Sequence, residues 1–73
     1  FFPFSSALLI ATQQGFSRDK VSASLVYGKK VDSLLWQFKE VISDSGSTIE
    51  YKTMFLNAHT GEILWIGNSQ SLR

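Results

Sequence analysis

His59 is the only histidine in the chain and lies in the segment Asn57–Glu62, NAHTGE. Together with carboxylates such as that of Glu62, an imidazole can coordinate a zinc ion. With a serine nucleophile and an orienting acid, the same imidazole can act as a general base. Metal binding and nucleophilic catalysis are therefore the two kinds of chemistry that this segment raises.

Neither kind of site is complete in the sequence. The chain has no second histidine and no cysteine, so a metal at His59 would depend on carboxylates such as Glu50 and Glu62. The serines cluster in predicted turns and at a helix start, and the acidic residues are spread over several elements. The five glycines are separate from one another and form no phosphate-binding loop. We therefore predict no catalytic residue, no metal, no cofactor and no enzymatic activity.

The same six residues have the composition of a turn. Asn57 and Gly61 tolerate a left-handed backbone, and the side chains of Asn57 and Thr60 can accept hydrogen bonds from the main chain two residues further on. Such a segment suits a tight connection between two paired strands. We favour this interpretation over a metal or catalytic site, and the predicted hairpin motif consists of Asn57, Ala58, Thr60, Gly61 and Glu62.

Size and composition predict one small globular domain over residues 1–73. A chain of 73 residues buries only about 60% of its unfolded surface. No cysteine is present to cross-link it, so a partner surface is favoured over a disulfide or a metal as the additional source of stability.

The net charge of +1 arises from basic residues scattered among acids, which argues against a nucleic acid as the partner. No apolar run approaches the roughly 20 residues of a membrane span, so we predict no membrane insertion by this segment. The chain does not begin with Met, which predicts a fragment or a processed product.

The periodicity predicts a helix followed by strands. Residues 4–14 repeat apolar side chains at helical spacing, with Ser5 or Ser6 as the N-cap and Gly15 at the end. Residues 21–27 alternate as a strand, and so do residues 49–56. The run 31–43 fits either a helical stripe or a strand, and its β-branched and aromatic residues favour the strand.

The closing strand is predicted over residues 62–66, with residues 68–73 as a flexible tail or linker. The predicted fold is therefore α+β, with one N-terminal helix packed on a three- to four-stranded antiparallel meander. A single short helix covers only one face of such a sheet, so some aromatic side chains on the strands are expected to stay exposed. For Trp36, Phe38 and Trp65 we favour the alternative, in which they pack under the helix as ordinary core, and the exposed interpretation stays open. The candidate partner surface comprises Trp36, Phe38, Tyr51, Phe55 and Trp65.

Residues 51–64, YKTMFLNAHTGEIL, resemble the closing hairpin of PepSY domains, which has the form Y-x-V-x-V-D-A-x-T-G-E-V-L, with one residue more here between Tyr51 and Asn57. Asn57 stands where that family usually has Asp. The helix ALLIATQQGF and the strand KVSASLVYG agree with the family in order and spacing. PepSY domains occur in propeptides of secreted metallopeptidases and in bacterial cell-envelope proteins.

The resemblance implies a non-enzymatic binding or regulatory module that contacts or inhibits a peptidase, or regulates an attached domain, at the cell envelope or outside the cytoplasm. An alternative from a different class is a structural fragment or subunit that docks on its own chain or on a second copy through an exposed sheet face.

Overall fold

The computed structural model describes residues 2–72. Helix α1 (Phe4–Gln13) precedes four strands, β1 (Ser22–Gly28), β2 (Ser33–Asp44), β3 (Thr48–Asn57) and β4 (Ile63–Leu72). The strands form one sheet in the order β1-β2-β3-β4, and every neighbouring pair is antiparallel. The predicted α+β fold, a helix on an antiparallel meander, is confirmed.

Helix α1 begins and ends at residues with restricted or unusual backbone geometry. Pro3 is the N-cap, with φ −72° and ψ 152°, and its carbonyl accepts a hydrogen bond from Ala7 N at 3.0 Å. The prediction that Ser5 or Ser6 caps the helix is wrong, because no side chain caps it and both serines lie within its first turn. Gly15 has φ +96° directly after the helix, where a residue without a Cβ is favoured. Its predicted role at the helix end is confirmed.

Strand β2 settles the ambiguous run in favour of a strand. It pairs with β1 on one side and with β3 on the other, so Phe38 lies between Ala23 and Met54. A bulge between Val41 and Ser43 shifts the register by one residue near the end of the strand. The helical stripe in this sequence is therefore coincidental, and the alternation places Trp36 and Phe38 on one face.

Residues 68–72 form the second half of β4 and not a tail. They continue the pairing with β3 as far as Leu72, which lies opposite Thr48. The sequence prediction misplaced the strand end because these residues are polar and have no period. The physical reason for the longer strand is that β3 is ten residues long, and its main-chain groups find partners along β4. Arg73 lies outside the described residues.

The core lies between α1 and one face of the sheet. Ala7 and Ala11 are fully buried, and their small side chains let the helix approach Phe38, Met54 and Leu56 closely. Phe16, just after the helix, completes this cluster. We call this side of the sheet the helix face.

The opposite side of the sheet, which we call the open face, carries no helix in the part of the chain that the structure describes. Alternation along the strands assigns side chains to it. They are Ser22, Ser24 and Val26 of β1, Leu35, Gln37, Lys39, Val41 and, beyond the bulge, Asp44 of β2, Ile49, Tyr51, Thr53 and Phe55 of β3, and Trp65, Ser69 and Ser71 of β4.

Candidate protein-binding face

Two of the five aromatic residues predicted for the partner surface lie on the helix face. Phe38 is fully buried in the core, and the Phe4 ring stacks near it with centroids 6.3 Å apart. The Trp36 ring lies 5.5 Å from that of Phe4, and its indole nitrogen donates to the Phe2 carbonyl at 2.9 Å. The favoured interpretation of Phe38 and Trp36 as core is therefore confirmed, and their place in the candidate partner surface is wrong. Their even-numbered positions on β2 point toward α1, where they are needed as core.

The other three aromatic residues, Tyr51, Phe55 and Trp65, lie on the open face. Phe55 and Trp65 are cross-strand neighbours on β3 and β4, with ring centroids 6.1 Å apart and planes tilted by 50°. Trp65 keeps 48% of its surface exposed on this face, so the interpretation of this residue as core under the helix is wrong. Tyr51 lies further along β3, and the Lys39 Nζ lies 4.2 Å from the centre of its ring.

A depression of about 380 Å³ surrounds the Phe55–Trp65 pair at one end of the open face. We call it the apolar depression. It lies beside the β1–β2 turn. Its lining consists of Val26, Tyr27, Gly28, Lys29, Lys30, Val31, Leu35, Phe55, Leu64 and Trp65.

The strand register explains why these residues meet. Val26 lies opposite Leu35, which places two aliphatic side chains beside the aromatic pair. A register shift after Phe55 leaves Leu64 as an extra residue on β4, so Leu64 joins Trp65 in the lining. The sequence prediction did not include Val26, Val31, Leu35 or Leu64 in the surface. Alternation alone could have assigned Leu35, but the bulge at Leu64 has no sequence signal.

Charges are divided unevenly between the two faces. Lys29 and Lys30 line the apolar depression, and Lys39 lies on the same face. On the helix face, the Glu40 carboxylate accepts a hydrogen bond from Ser17 N at 2.6 Å, and the Glu50 carboxylate accepts one from Gln70 Nε2 at 3.3 Å. The lysines near the depression are thus separated from these two acids by the sheet itself.

Three further carboxylates lie near the ends of the strands. Asp32 accepts a hydrogen bond from the Tyr27 hydroxyl, and this bond raises the pKa of Tyr27 above its ordinary value of 10.0. Asp44 accepts one from Gly46 N at 3.0 Å, nine residues along β2 from Leu35 and so about 30 Å away. Glu62 lies in the β3–β4 turn. None of the three lines the apolar depression.

The segment Asn57–Glu62 forms the turn between β3 and β4, as predicted. The Asn57 Oδ1 accepts hydrogen bonds from His59 N at 2.8 Å and Thr60 N at 3.2 Å. The Thr60 hydroxyl accepts one from Glu62 N at 3.2 Å, and Gly61 has φ +79°. The side chains of Asn57 and Thr60 therefore support the main chain of the turn.

Ala58 and Gly61 have packing roles that the turn prediction did not contain. Ala58 is fully buried, its amide donates to the Leu34 carbonyl at 2.9 Å, and its own carbonyl accepts from Phe2 N. A Cβ on Gly61 would lie 2.5 Å from Cε1 of the Phe2 ring. The turn thus also forms the surface on which Phe2, near the start of the chain, packs.

His59 is exposed in this turn. Across residues 2–72, no three side chains of the types His, Cys, Asp and Glu are grouped so that they could hold a metal ion.

A second depression, of about 340 Å³, lies along the outer side of α1. Phe4 and Leu9 contribute exposed apolar surface to it, with 46% and 60% of each residue accessible, and Arg18 lies at its side. Phe4 also contacts Trp36 and Phe38, so this depression adjoins the core. One basic residue, Arg18, lines this second depression, whereas two, Lys29 and Lys30, line the apolar depression.

Within residues 2–72, no helix has the length and the apolar character that crossing a membrane requires. Comparison with models of protein families, with curated proteins and with solved structures finds no match to this chain.

Proposed function

We propose that the chain is a non-enzymatic binding or regulatory module that contacts a protein partner through its open face. The observation that carries this proposal is the pair Phe55 and Trp65, which stands half-exposed in an apolar depression on a face that α1 does not cover. Contiguous exposed apolar surface of this kind marks interaction sites more often than the rest of a protein surface does. Tryptophan is also among the residues that contribute most to binding energy at interfaces.

The resemblance of residues 51–64 to the PepSY hairpin supports a peptidase as the partner. In this proposal the module inhibits or contacts a peptidase, or regulates a domain attached to it, at the cell envelope or outside the cytoplasm. The sequence of the hairpin motif is the support for a PepSY-like domain. Its residues form the turn between β3 and β4, the two strands that carry Phe55 and Trp65.

Site-specific photo-crosslinking tests the proposal directly. A photoreactive amino acid replaces Trp65 in one variant and Leu9 in a second, since Leu9 is an exposed apolar residue on the other side of the molecule. Both are incubated with a panel of purified secreted metallopeptidases, and peptidase activity is measured in parallel. We expect crosslinks from position 65 and none from position 9. A monomer that crosslinks to no peptidase and leaves their activities unchanged would contradict the proposal.

Self-association through a sheet edge is the second candidate, and one observation favours it. The edge strand β4, ILWIGNSQSL, contains no charged residue and no proline, which are the usual means of preventing edge pairing. A second copy, or another part of the same protein, can then extend the sheet by one strand. Sedimentation of the isolated chain at micromolar concentration distinguishes the two candidates, since docking at the edge predicts a dimer that Gln70→Lys weakens.

A further inference from the structure

We infer that the open face binds a polypeptide segment that carries a bulky apolar side chain next to carboxylates. The inference rests on the proposed function and adds the chemistry of the partner. In this arrangement the apolar side chain enters the depression beside Phe55 and Trp65, and the carboxylates approach Lys29 and Lys30.

The size and lining of the depression select an apolar side chain. Its volume of about 380 Å³ lies at the low end of the range, about 300–1,000 Å³, that is typical of sites for small molecules. One or two large side chains from a partner fill such a space, whereas a folded helix does not enter it. The floor is made by Leu35, which is only 8% exposed, and by the half-buried Phe55.

The charges beside the depression predict which residues flank the apolar side chain in the partner segment. Lys29 and Lys30 lie side by side in the turn after β1, and both residues are exposed. Asp32, the acid nearest to them in sequence, accepts a hydrogen bond from the Tyr27 hydroxyl and does not line the depression. A partner carboxylate near the two lysines therefore meets positive charge on the side of the depression where the β1–β2 turn lies.

Charge also disfavours a second copy as the occupant of this face. Two open faces packed together would bring Lys29, Lys30 and Lys39 of each copy into one interface. Asp44 is the acid that shares this side of the sheet, and it lies about 30 Å from Leu35 at the other end of β2. Like charges opposed in this way cost binding energy, whereas an acidic partner gains it.

Nuclear magnetic resonance of the whole chain tests the inference, because the two indole N–H signals report on opposite faces. Trp65 lies in the depression, and Trp36 lies under α1 as an internal control. The probe is the acetylated and amidated peptide Gly-Asp-Phe-Leu-Asp-Gly. One control peptide has Asn in place of both Asp residues, and a second has Ala in place of Phe and Leu.

We expect saturable shifts of the Trp65 indole and of the Lys29 and Lys30 amides with the probe, and no shift of the Trp36 indole. The Asn peptide should bind several-fold more weakly, up to about tenfold, with a difference that shrinks at high salt. The Ala peptide should not bind. Lys29→Glu/Lys30→Glu should abolish the preference for the acidic peptide, and Arg18→Glu/Lys20→Glu, which changes net charge equally on the other side, should keep it.

The outcomes separate this inference from the proposed function. Equal binding of the acidic and Asn peptides overturns the role of the lysines and leaves the open face as a binding surface. Shifts of Trp65 that depend on protein concentration without peptide identify a second copy as the occupant and overturn the inference. Crosslinking to a peptidase at position 65 without any response to the probe also overturns it, while the proposed function stands.

Discussion

The indole nitrogen of Trp36 donates a hydrogen bond to the main-chain carbonyl of Phe2 at 2.9 Å. The amide of Phe2 donates in turn to the carbonyl of Ala58. One residue near the start of the chain is thereby joined to β2 and to the β3–β4 turn, which are far apart in sequence. Because Phe2 also packs on Gly61, the start of the chain, Trp36 and the hairpin motif form one structural unit.

Trp36→Phe removes this hydrogen bond and leaves the Phe2 carbonyl without its indole donor. We expect the free energy of unfolding to fall by about 1–2 kcal/mol, measured by urea denaturation. Trp65→Phe is the matched control, because Trp65 is half-exposed on the open face, and it should change stability by less than about 0.5 kcal/mol. Equal effects of the two substitutions would show that the bond to Phe2 contributes nothing measurable.

Gly61→Ala should be more destabilising than Gly46→Ala. Both glycines have positive φ, +79° and +91°, so each substitution carries the strain of a left-handed residue, roughly 1–2 kcal/mol. At Gly46 an added Cβ meets nothing within 4 Å, whereas at Gly61 it meets the Phe2 ring at 2.5 Å. The difference between the two unfolding free energies therefore measures the contact with Phe2.

A double variant separates strain from crowding at Gly61. In the Phe2→Ala background, Gly61→Ala should lose its excess cost and match Gly46→Ala within the error of denaturant unfolding. An unchanged excess in that background would show that the cost arises from the turn backbone and not from the Phe2 ring.

The order of elements follows largely from the sequence, because β1 and β3 carry a two-residue alternation and Gly15, Gly46 and Gly61 provide the positive φ that the helix end and two of the turns need. In the β1–β2 turn the residue with positive φ is Asp32, which the sequence did not indicate.

Met54 and Leu56 alternate with Tyr51 and Phe55, and this pattern alone separates the two faces of β3, although it does not say which of them is core. The polar half of β4 could not be predicted, since its pairing depends on the length of β3 and not on its own composition.

The candidate site was predicted only in part, for a related reason. Aromatic content identified five residues, but it carries no information about which side of the sheet faces the helix. That choice depends on the register between β2 and β3, which places Phe38 beside Met54 under Ala7 and Ala11. The apolar depression depends in addition on the register shift that adds Leu64.

Asn57→Ala should destabilise the hairpin, because the Oδ1 atom accepts from both His59 N and Thr60 N. We expect a loss of about 1 kcal/mol in the free energy of unfolding. Asn57→Asp keeps an acceptor oxygen and should lose less. His59→Ala serves as the control within the same turn, since its side chain is exposed, and should stay within about 0.5 kcal/mol of the parent. Loss of an activity or of bound metal in His59→Ala would contradict the turn interpretation.

Phe38→Ala and Phe55→Ala should differ in both stability and binding. Phe38 is fully buried, so its truncation should cost about 3–5 kcal/mol, enough to unfold much of a small domain. Phe55 is half-buried, so its truncation should cost about 1–2 kcal/mol and leave a folded chain that binds the acidic peptide weakly. Circular dichroism with thermal unfolding measures the first effect, and titration of the Trp65 indole signal measures the second. A folded Phe38→Ala variant of near-parent stability would contradict the assigned core.

The Tyr27 hydroxyl should titrate above its ordinary pKa of 10.0, chiefly because it donates a hydrogen bond to the Asp32 carboxylate. This bond holds the proton in the folded state, so its contribution to stability is complete below the unfolded pKa and is lost as the pH rises through the folded one.

Because Tyr27 is exposed, the experiment measures the pKa of its hydroxyl and not the unfolding free energy. In a Tyr51→Phe background Tyr27 is the only tyrosine, and its ultraviolet absorbance gives the titration directly. Asp32→Asn keeps a residue type that tolerates the φ of 50° at this position and removes the charge, so the pKa should fall toward 10.0. An unchanged titration in Asp32→Asn would mean that the hydrogen bond does not persist in solution.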